Sequence, residues 1–262
     1  MKVIRKIVKF LGELSKKKVA RPKLLLRLSV VLALFALLIF LAQLWNSNQP
    51  IHQISIVGTS FLTPAEVKAE IQDAPIINRP KNEINYAELA KRLRQNPFIE
   101  NTYLSEGINT LTIEVKERQP VAILVDNYGK LRYVSSDYSI LPYRLFNTYL
   151  DIPVITGIYK DELLDSLALR NAIDIINHIR AYSNTLLISL ISEVHYSKNS
   201  REFILYTSDN SRKIIFGGME NIEDKIMNLH DFLKYDLQYN AKREFSYIDV
   251  RWKNSVIVKN NI

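Results

Sequence analysis

The chain of 262 residues contains no cysteine, only 7 glycines and only 9 prolines. Without cysteine the protein has no disulfide framework, zinc ribbon, thiol nucleophile or cysteine-ligated cluster. The low glycine and proline content excludes a collagen-like repeat and a low-complexity linker protein, and the 47% of hydrophobic residues exclude a disordered chain. The length allows one large domain or two small ones.

The excess of positive charge is confined to one end of the chain. The net charge is +8, but residues 1–27 hold ten Lys or Arg and one acidic residue. The other 235 residues hold 25 basic and 26 acidic groups. A groove for a phosphate backbone needs clustered Lys and Arg in the folded part of a protein. The charge distribution therefore predicts no nucleic-acid partner.

A long apolar run follows the basic residues. LSVVLALFALLIFLAQL, from Leu28 to Leu44, carries no charge, and about 17–25 apolar residues span a bilayer as a helix. Trp45 follows at the far end, where an indole prefers the membrane interface. The positive-inside rule predicts a cytoplasmic tail over 1–23, a transmembrane helix over 24–45 and the rest of the chain outside. A cleaved signal peptide or a buried core helix are the alternatives, and residues 43–46 fit a cleavage site poorly.

Residues 48–118 show the order β-α-α-β-β. The string Thr63-Pro64-Ala65-Glu66 combines a capping hydroxyl, a proline at the first helical position and a Glu three residues after the cap. The final strand alternates, with Leu111, Ile113 and Val115 on one face. Two helices on one face of a three-stranded sheet bury their apolar stripes, which predicts an α+β module. The predicted elements are an extended segment over 51–57, helices opening at 63 and 85, and strands over 98–104 and 110–116.

Residues 119–262 predict a β-rich domain with helices packed against it. A long helix over 161–182 is expected to open with Asp161 and Glu162, and a second amphipathic helix to open at 222 with Glu223 and Asp224. Gly217-Gly218 is expected to end the preceding strand. Two strands over 245–252 and 256–258 form a terminal hairpin. The other predicted strands are 121–125, 131–134, 140–141, 153–157, 191–196, 202–206 and 213–216.

Signatures of catalysis are missing from the sequence. The four histidines show no i, i+4 pairing and no HExxH pattern, and the chain contains no glycine-rich phosphate loop or nucleophile elbow. Acidic pairs at predicted helix starts are explained by the helix dipole. The sequence therefore predicts no catalytic residue, cofactor, metal or small-molecule substrate.

The terminal hairpin is the candidate binding element. A last strand has one neighbour in its own sheet, so its other edge displays unpaired N–H and C=O groups. The β-branched residues 256–258 lack proline and can accept another strand by β-augmentation. The alternation predicts that Ile248, Val250 and Trp252 share one face. An ordinary edge strand, protected by flanking lysines, is the alternative.

Several strings, in order, resemble the FtsQ/DivIB family of bitopic bacterial cell-division proteins. They are ISIVG at 54–58, TPAE at 63–66, NPFI at 96–99, TLTIEV at 110–115 running into ERQPVA at 117–122, IPVITG at 152–157, and YIDVRW at 247–252. The chain departs from the family pattern at Asn109, where Pro is common, at Ser139, where Gly is common, and at Trp252, where Tyr is usual.

The resemblance implies a non-enzymatic scaffold of the division machinery in the inner membrane at the septum. It implies a POTRA domain over 48–118, used for recruitment, and a β domain over 119–262 whose last strand pairs with FtsB in complex with FtsL, linking to the septal peptidoglycan synthase. The implied domain junction comprises Glu117, Arg118, Pro120 and Val121. The expected partner-binding residues are Trp252, Asn254, Ser255, Val256, Ile257 and Val258.

Two other classes of function stay open at this point. POTRA-like modules also occur in membrane-anchored transport and envelope-assembly factors, although those usually carry several modules or a barrel. An anchored cell-envelope hydrolase would need a catalytic constellation other than an HExxH motif, a glycine-rich phosphate loop or a nucleophile elbow.

Overall fold

A computed structural model describes residues 22–183, 186–209, 211–239 and 245–260. The chain divides into two compact units. Among the described residues, the smaller unit holds 22–55 together with 73–86 and 104–112, and the larger holds 56–72, 87–103 and those from 113 onwards. Most of the predicted basic tail, residues 1–21, lies outside the described residues.

The first described element is one long apolar helix, α1 (Pro22–Ser47). The segment Leu26–Ser47 has a mean hydropathy of 2.5, and none of its most apolar stretch is buried within the protein. The helix is long and apolar enough to cross a membrane. It contains the predicted span 24–45 and extends two residues beyond it at each end.

The predicted β-α-α-β-β order is confirmed over the next 65 or so residues. Thr63 and Glu66 form the predicted capping box: the Thr63 hydroxyl accepts from the Glu66 amide at 3.2 Å, and the Glu66 carboxylate accepts from the Thr63 amide at 2.7 Å. Leu111, Ile113 and Val115 are buried, as their alternation predicts. The elements are β1 (Gln53–Val57), α2 (Pro64–Ala69), a 3₁₀ turn (Lys81–Glu83), α3 (Tyr86–Leu93), β2 (Ile99–Glu106) and β3 (Thr110–Glu117), in the sheet order β1-β3-β2.

The remaining described residues build a nine-stranded sheet in the order β14-β13-β12-β11-β10-β7-β4-β5-β6. Its strands are β4 (Pro120–Val125), β5 (Leu131–Ser135), β6 (Ile140–Pro142), β7 (Val154–Thr156), β10 (Ile191–Ser197), β11 (Glu202–Thr207), β12 (Lys213–Gly217), β13 (Phe245–Asp249) and β14 (Ile257–Asn260). A separate pair, β8 (Tyr159–Lys160) and β9 (Leu163–Leu164), was not predicted. The helices are α4 (Ser166–Ser183), α5 (Leu186–Leu190) and α6 (Ile222–Tyr239).

One hydrophobic core joins this sheet to its helices. The predicted apolar stripe of α4 is buried, including Ala172, Ile175, Ile176 and Ile179. Glu223 and Asp224 lie in the first turn of α6, as predicted, where the helix dipole favours negative charge.

The predicted start of the long helix is wrong. The helix opens at Ser166 rather than at Asp161, because Asp161 takes a positive φ of 54° in the turn between β8 and β9. Asp165 is the capping residue: its carboxylate accepts from the amides of Leu167 at 3.1 Å and Ala168 at 2.9 Å. Asp161 and Glu162 therefore do not lie in a first helical turn.

The boundaries of the terminal hairpin also differ from the prediction. The strand predicted over 245–252 ends at Asp249, and its partner covers Ile257–Asn260 instead of 256–258. The connection is longer than a two-residue turn because the chain bends at 252–255, where Asn254 has a φ of 55°. Trp252 does not share the buried face of Ile248 and Val250: both are fully buried, whereas Trp252 is 55% exposed.

Candidate functional site

β14 forms one edge of the nine-stranded sheet. It pairs antiparallel with β13, with Ile257 opposite Asp249, Val258 opposite Ile248 and Lys259 opposite Tyr247. Within the described part of the chain no strand pairs with its other side. All four residues of β14 are exposed, Ile257 by 45% and Val258 by 36%. This edge therefore offers a row of backbone donors and acceptors flanked by β-branched side chains.

The predicted binding residues fall into two groups. Ile257 and Val258 lie in β14, on the open edge. Trp252, Asn254 and Ser255 lie in the exposed connection that precedes it. Val256 is different, because it is half-buried and packs against the hydrophobic core. Val256 therefore anchors the start of β14, and its side chain is less available to a partner than those of its neighbours.

Asp249, Arg251 and Glu202 form a network of charged groups that stabilises the terminal hairpin of β13 and β14. The sequence patterns did not predict this network. Asp249 is 5% exposed and accepts from the Arg251 guanidinium at 3.0 Å (Nε) and 2.8 Å (Nη2), and from the Arg251 amide at 3.0 Å. Arg251 also reaches Glu202 on β11 at 2.9 Å. Burial raises the pKa of Asp249, but the hydrogen bonds from Arg251 outweigh it, and the pKa lies below its usual 3.8.

Gly217, the last residue of β12, makes room for this network. Gly217 has a φ of 81°, and a Cβ there would lie 2.7 Å from the Arg251 side chain. Lys225, which is 6% exposed, donates to the carbonyl of Gly218 at 2.9 Å and lies 5.3 Å from the ring centre of Phe216. Burial lowers the pKa of Lys225. The Gly217-Gly218 pair was the available sequence signal, but it indicated only a strand end.

The predicted junction residues lie together in the larger unit. Glu117 ends β3, and its carboxylate accepts from three consecutive backbone amides, those of residues 60–62, at 2.8 to 2.9 Å. Pro120 and Val121 begin β4 and are buried. A cleft of about 430 Å³ lies beside them and is lined by Glu117 and Arg118 among others.

Arg118 contacts two separate segments of the larger unit. Its guanidinium donates to the carbonyls of Pro97 at 2.9 Å and Ile99 at 2.7 Å, and to Asp137 at 3.0 Å. Burial raises the pKa of Asp137, but the hydrogen bonds from Ser135, Arg118 and Ser139 together lower it by more than burial raises it. The pKa of Asp137 therefore lies below its usual value. The side chains of Glu117 and Arg118 are hydrogen-bonded within the protein, which indicates a structural role for these residues.

One side-chain cluster on the sheet has the residue types of a hydrolase but not their order. The Thr156 hydroxyl on β7 lies 2.7 Å from Nδ1 of His195 and 2.5 Å from the carboxylate of Glu193, both on β10. A nucleophilic triad places the imidazole between carboxylate and hydroxyl. Here the hydroxyl bridges the other two groups. Among the described residues no group of three or more His, Asp or Glu is arranged to hold a metal ion.

Comparison with protein families covers both parts of the chain outside α1. Residues 49–118 match the model of the POTRA domain, FtsQ-type. Residues 119–259, more than half of the chain, match the model described as FtsQ/DivIB, C-terminal related. The chain belongs to the FtsQ/DivIB family. The resemblance drawn from the short strings is thereby confirmed.

Two curated relatives carry the same family name. The cell division protein FtsQ of Geotalea daltonii is 25% identical over 187 residues, which cover 65% of this chain and 62% of that protein. The cell division protein FtsQ of Rhodothermus marinus is 27% identical over 257 residues, 93% of this chain and 89% of that protein. The chain therefore belongs to a family of cell-division proteins and has, among its described residues, one apolar helix suited to single-pass anchoring.

Proposed function

We propose that the protein is a non-enzymatic scaffold of the division machinery that binds an FtsB/FtsL-like partner through β14. Through that partner it would connect to the septal peptidoglycan synthase. The proposed organisation is a cytoplasmic tail (1–23), a transmembrane helix (24–45), a POTRA domain (48–118) and a β domain (119–262), with the last two outside the cytoplasm at the septum. The family membership supports the division role.

The observation that carries the proposal is that, among the strands the structure describes, β14 pairs on one side only. An incoming strand gains main-chain hydrogen bonds along the free edge, and the flanking side chains decide which strand is accepted. Ile257 and Val258 provide apolar contacts beside that ladder, and Trp252 provides a large exposed ring next to it.

The charge distribution supports the orientation. Ten basic residues within 1–27 precede the apolar run, whereas residues 46–49 that follow it carry no charge. Basic flanks are retained on the cytoplasmic side of a membrane. The folded part of the chain then lies on the side where the cell wall is built.

A pair of proline variants tests strand pairing. In an antiparallel ladder consecutive residues direct their backbone N–H and C=O groups to opposite edges. Of Ile257 and Val258, one therefore faces β13 and the other faces the open edge. Proline is tolerated at an edge where its nitrogen faces solvent, and it disrupts pairing where the N–H is bonded.

We expect one of the variants Ile257→Pro and Val258→Pro to keep the wild-type melting temperature and to lose about tenfold or more in affinity for the FtsB-like partner. The other should lose stability. Wild-type affinity in the folded variant would count decisively against strand addition at β14. A fluorescent fusion of the folded variant tests the cellular role, because wild-type protein should form a midcell band and an even membrane distribution would contradict the proposal.

A further inference from the structure

The C-terminal end of helix α1 is held by a second segment of the same unit, residues 77–83, which we call the collar. The Lys81 ammonium donates to the side-chain oxygen of Asn46 at 2.7 Å. The Asn82 side chain donates to that of Asn48 at 3.0 Å, and the Lys81 amide donates to the carbonyl of Gln49 at 3.2 Å.

Backbone bonds continue this attachment past the helix. The Asn78 amide donates to the carbonyl of Ile51 at 2.7 Å, and the Ile51 amide donates to the carbonyl of Arg79 at 3.0 Å. Pro50 also bridges to Pro80. The residues directly after α1 are therefore hydrogen-bonded to the collar, and the collar has a fixed position relative to the end of the helix.

The length of α1 sets the depth of the collar in a bilayer. The hydrocarbon core is about 30 Å thick, which 20 residues cross at about 1.5 Å per residue. The segment from Leu26 to Trp45 has that length and is apolar except for Arg27, Ser29 and Gln43, so Asn46 falls at the boundary of the hydrocarbon. The headgroup layer on each side is roughly 5–7 Å thick. Lys81, in direct contact with Asn46, falls within it.

The side chains of the collar suit that layer. Arg79 is 51% exposed at its side chain, and its only ion pair among the described residues is a long one of 3.7 Å to the equally exposed Glu83. Such a pair contributes little and leaves the guanidinium able to bind a phosphate bidentately. Ile77 is 46% exposed. Lys81, by contrast, is 2% exposed and places its positive charge at the C-terminal end of the helix, where the dipole favours a cation.

We propose that the collar lies in the lipid headgroup layer, where Arg79 binds lipid phosphates and Lys81 acts as the positioning residue that holds the collar on the helix. The smaller unit then begins at the membrane surface without a flexible linker after α1. This surface is separate from β14, and the proposal does not depend on the division partner.

Spin labels on the full chain test the depth of the collar. Because the sequence contains no cysteine, Ile77→Cys and Glu83→Cys each give a single site, and Trp45→Cys and Leu41→Cys calibrate the interface and the hydrocarbon. In vesicles of phosphatidylcholine and phosphatidylglycerol, power saturation with oxygen and a water-soluble nickel complex should place both collar labels within about 7 Å of the label at position 45. Nickel accessibility equal to that of a labelled peptide in water would overturn the proposal.

Two further variants test the residue roles. Lys81→Met should move both collar labels towards water, whereas Lys130→Met, at an exposed lysine of the larger unit, should leave them in place. Arg79→Gln should reduce the immobilisation of the label at 77 in vesicles that contain phosphatidylglycerol. Unchanged label positions in Lys81→Met would refute its positioning role, and unchanged mobility in Arg79→Gln would refute the phosphate contact. A circular dichroism spectrum and a melting temperature of Lys81→Met equal to those of the wild type show that the label movement does not come from unfolding.

Discussion

Replacing Arg251 by methionine tests how the terminal hairpin is held in place. The substitution keeps much of the side-chain volume but removes the guanidinium bonds to Asp249 and Glu202. Asp249 is then a carboxylate at 5% exposure whose remaining donors are the amide of residue 251 and the indole of Trp252.

The magnitude follows from the two halves of the network. Removing one partner of a buried ion pair costs about 3–5 kcal/mol. Arg251 is 37% exposed at its side chain, so solvent screens its ion pair with Glu202. This ion pair therefore contributes about 0.2–1 kcal/mol to the free energy of unfolding. Because two donors to Asp249 remain, we expect a total loss of about 2 kcal/mol. For a folded part of this size that loss lowers the melting temperature by about 4–8 °C.

The assay is denaturant and thermal unfolding of the detergent-solubilised chain in a double-mutant cycle. The cycle comprises Arg251→Met, Asp249→Asn and the double variant. We expect the double variant to lose less stability than the two single losses combined, because no unpaired charge is left behind. A loss below about 0.5 kcal/mol for Arg251→Met, together with additive effects, would refute the interpretation that Asp249 depends on this arginine.

Three other perturbations have expected outcomes. Gly157→Ala should destabilise the fold far more than Gly129→Ala. Both glycines have a φ near 77°, but a Cβ at 157 would lie 2.2 Å from the Tyr196 carbonyl oxygen, whereas nothing lies within 4 Å of a Cβ at 129. Equal melting temperatures of the two variants would contradict this. Glu117→Gln should cost about 1–3 kcal/mol and speed hydrogen exchange of the amides at 60–62, because an amide nitrogen then faces a backbone donor; unchanged exchange would oppose it. The pKa of Asp249 is lowered in the folded state, so its carboxylate contributes fully to the free energy of unfolding above its usual pKa of 3.8, and this contribution is lost as pH falls through the lowered pKa. When unfolding is measured as a function of acid pH, Asp249→Asn should therefore lose less stability than the wild type. Identical pH profiles for the two proteins would argue against this role of Asp249.

Local features of the fold were predictable from the sequence. The capping box at Thr63 and Glu66 involves residues three apart, and the alternation of Leu111, Ile113 and Val115 directly reports a half-buried strand. The apolar run of α1 is likewise a local property. In each case the physical cause lies within one element, so the pattern of neighbouring residues contains it.

The supports of the candidate site depend on residues far apart in the chain. Arg251 bonds to Glu202, 49 positions away, and Glu117 accepts from amides 55 to 57 positions away. Neither pairing has a periodic signal. The long-helix error has a similar origin, because Asp161 and Asp165 are equally plausible caps until the β8–β9 turn is known. The exposure of Trp252 depends on the bend at Asn254, which the strand alternation does not reveal.

Disulfide trapping tests most directly whether β14 accepts a strand from the FtsB-like partner. A single cysteine at Ile257 is combined with single cysteines along the candidate partner segment, since residues directly opposite in an antiparallel ladder lie within disulfide reach. We predict strong cross-linking at one partner position and weaker cross-linking two residues away on the same face, with little at the positions between. A complex that forms normally but cross-links without this two-residue period, or not at all, would contradict the account.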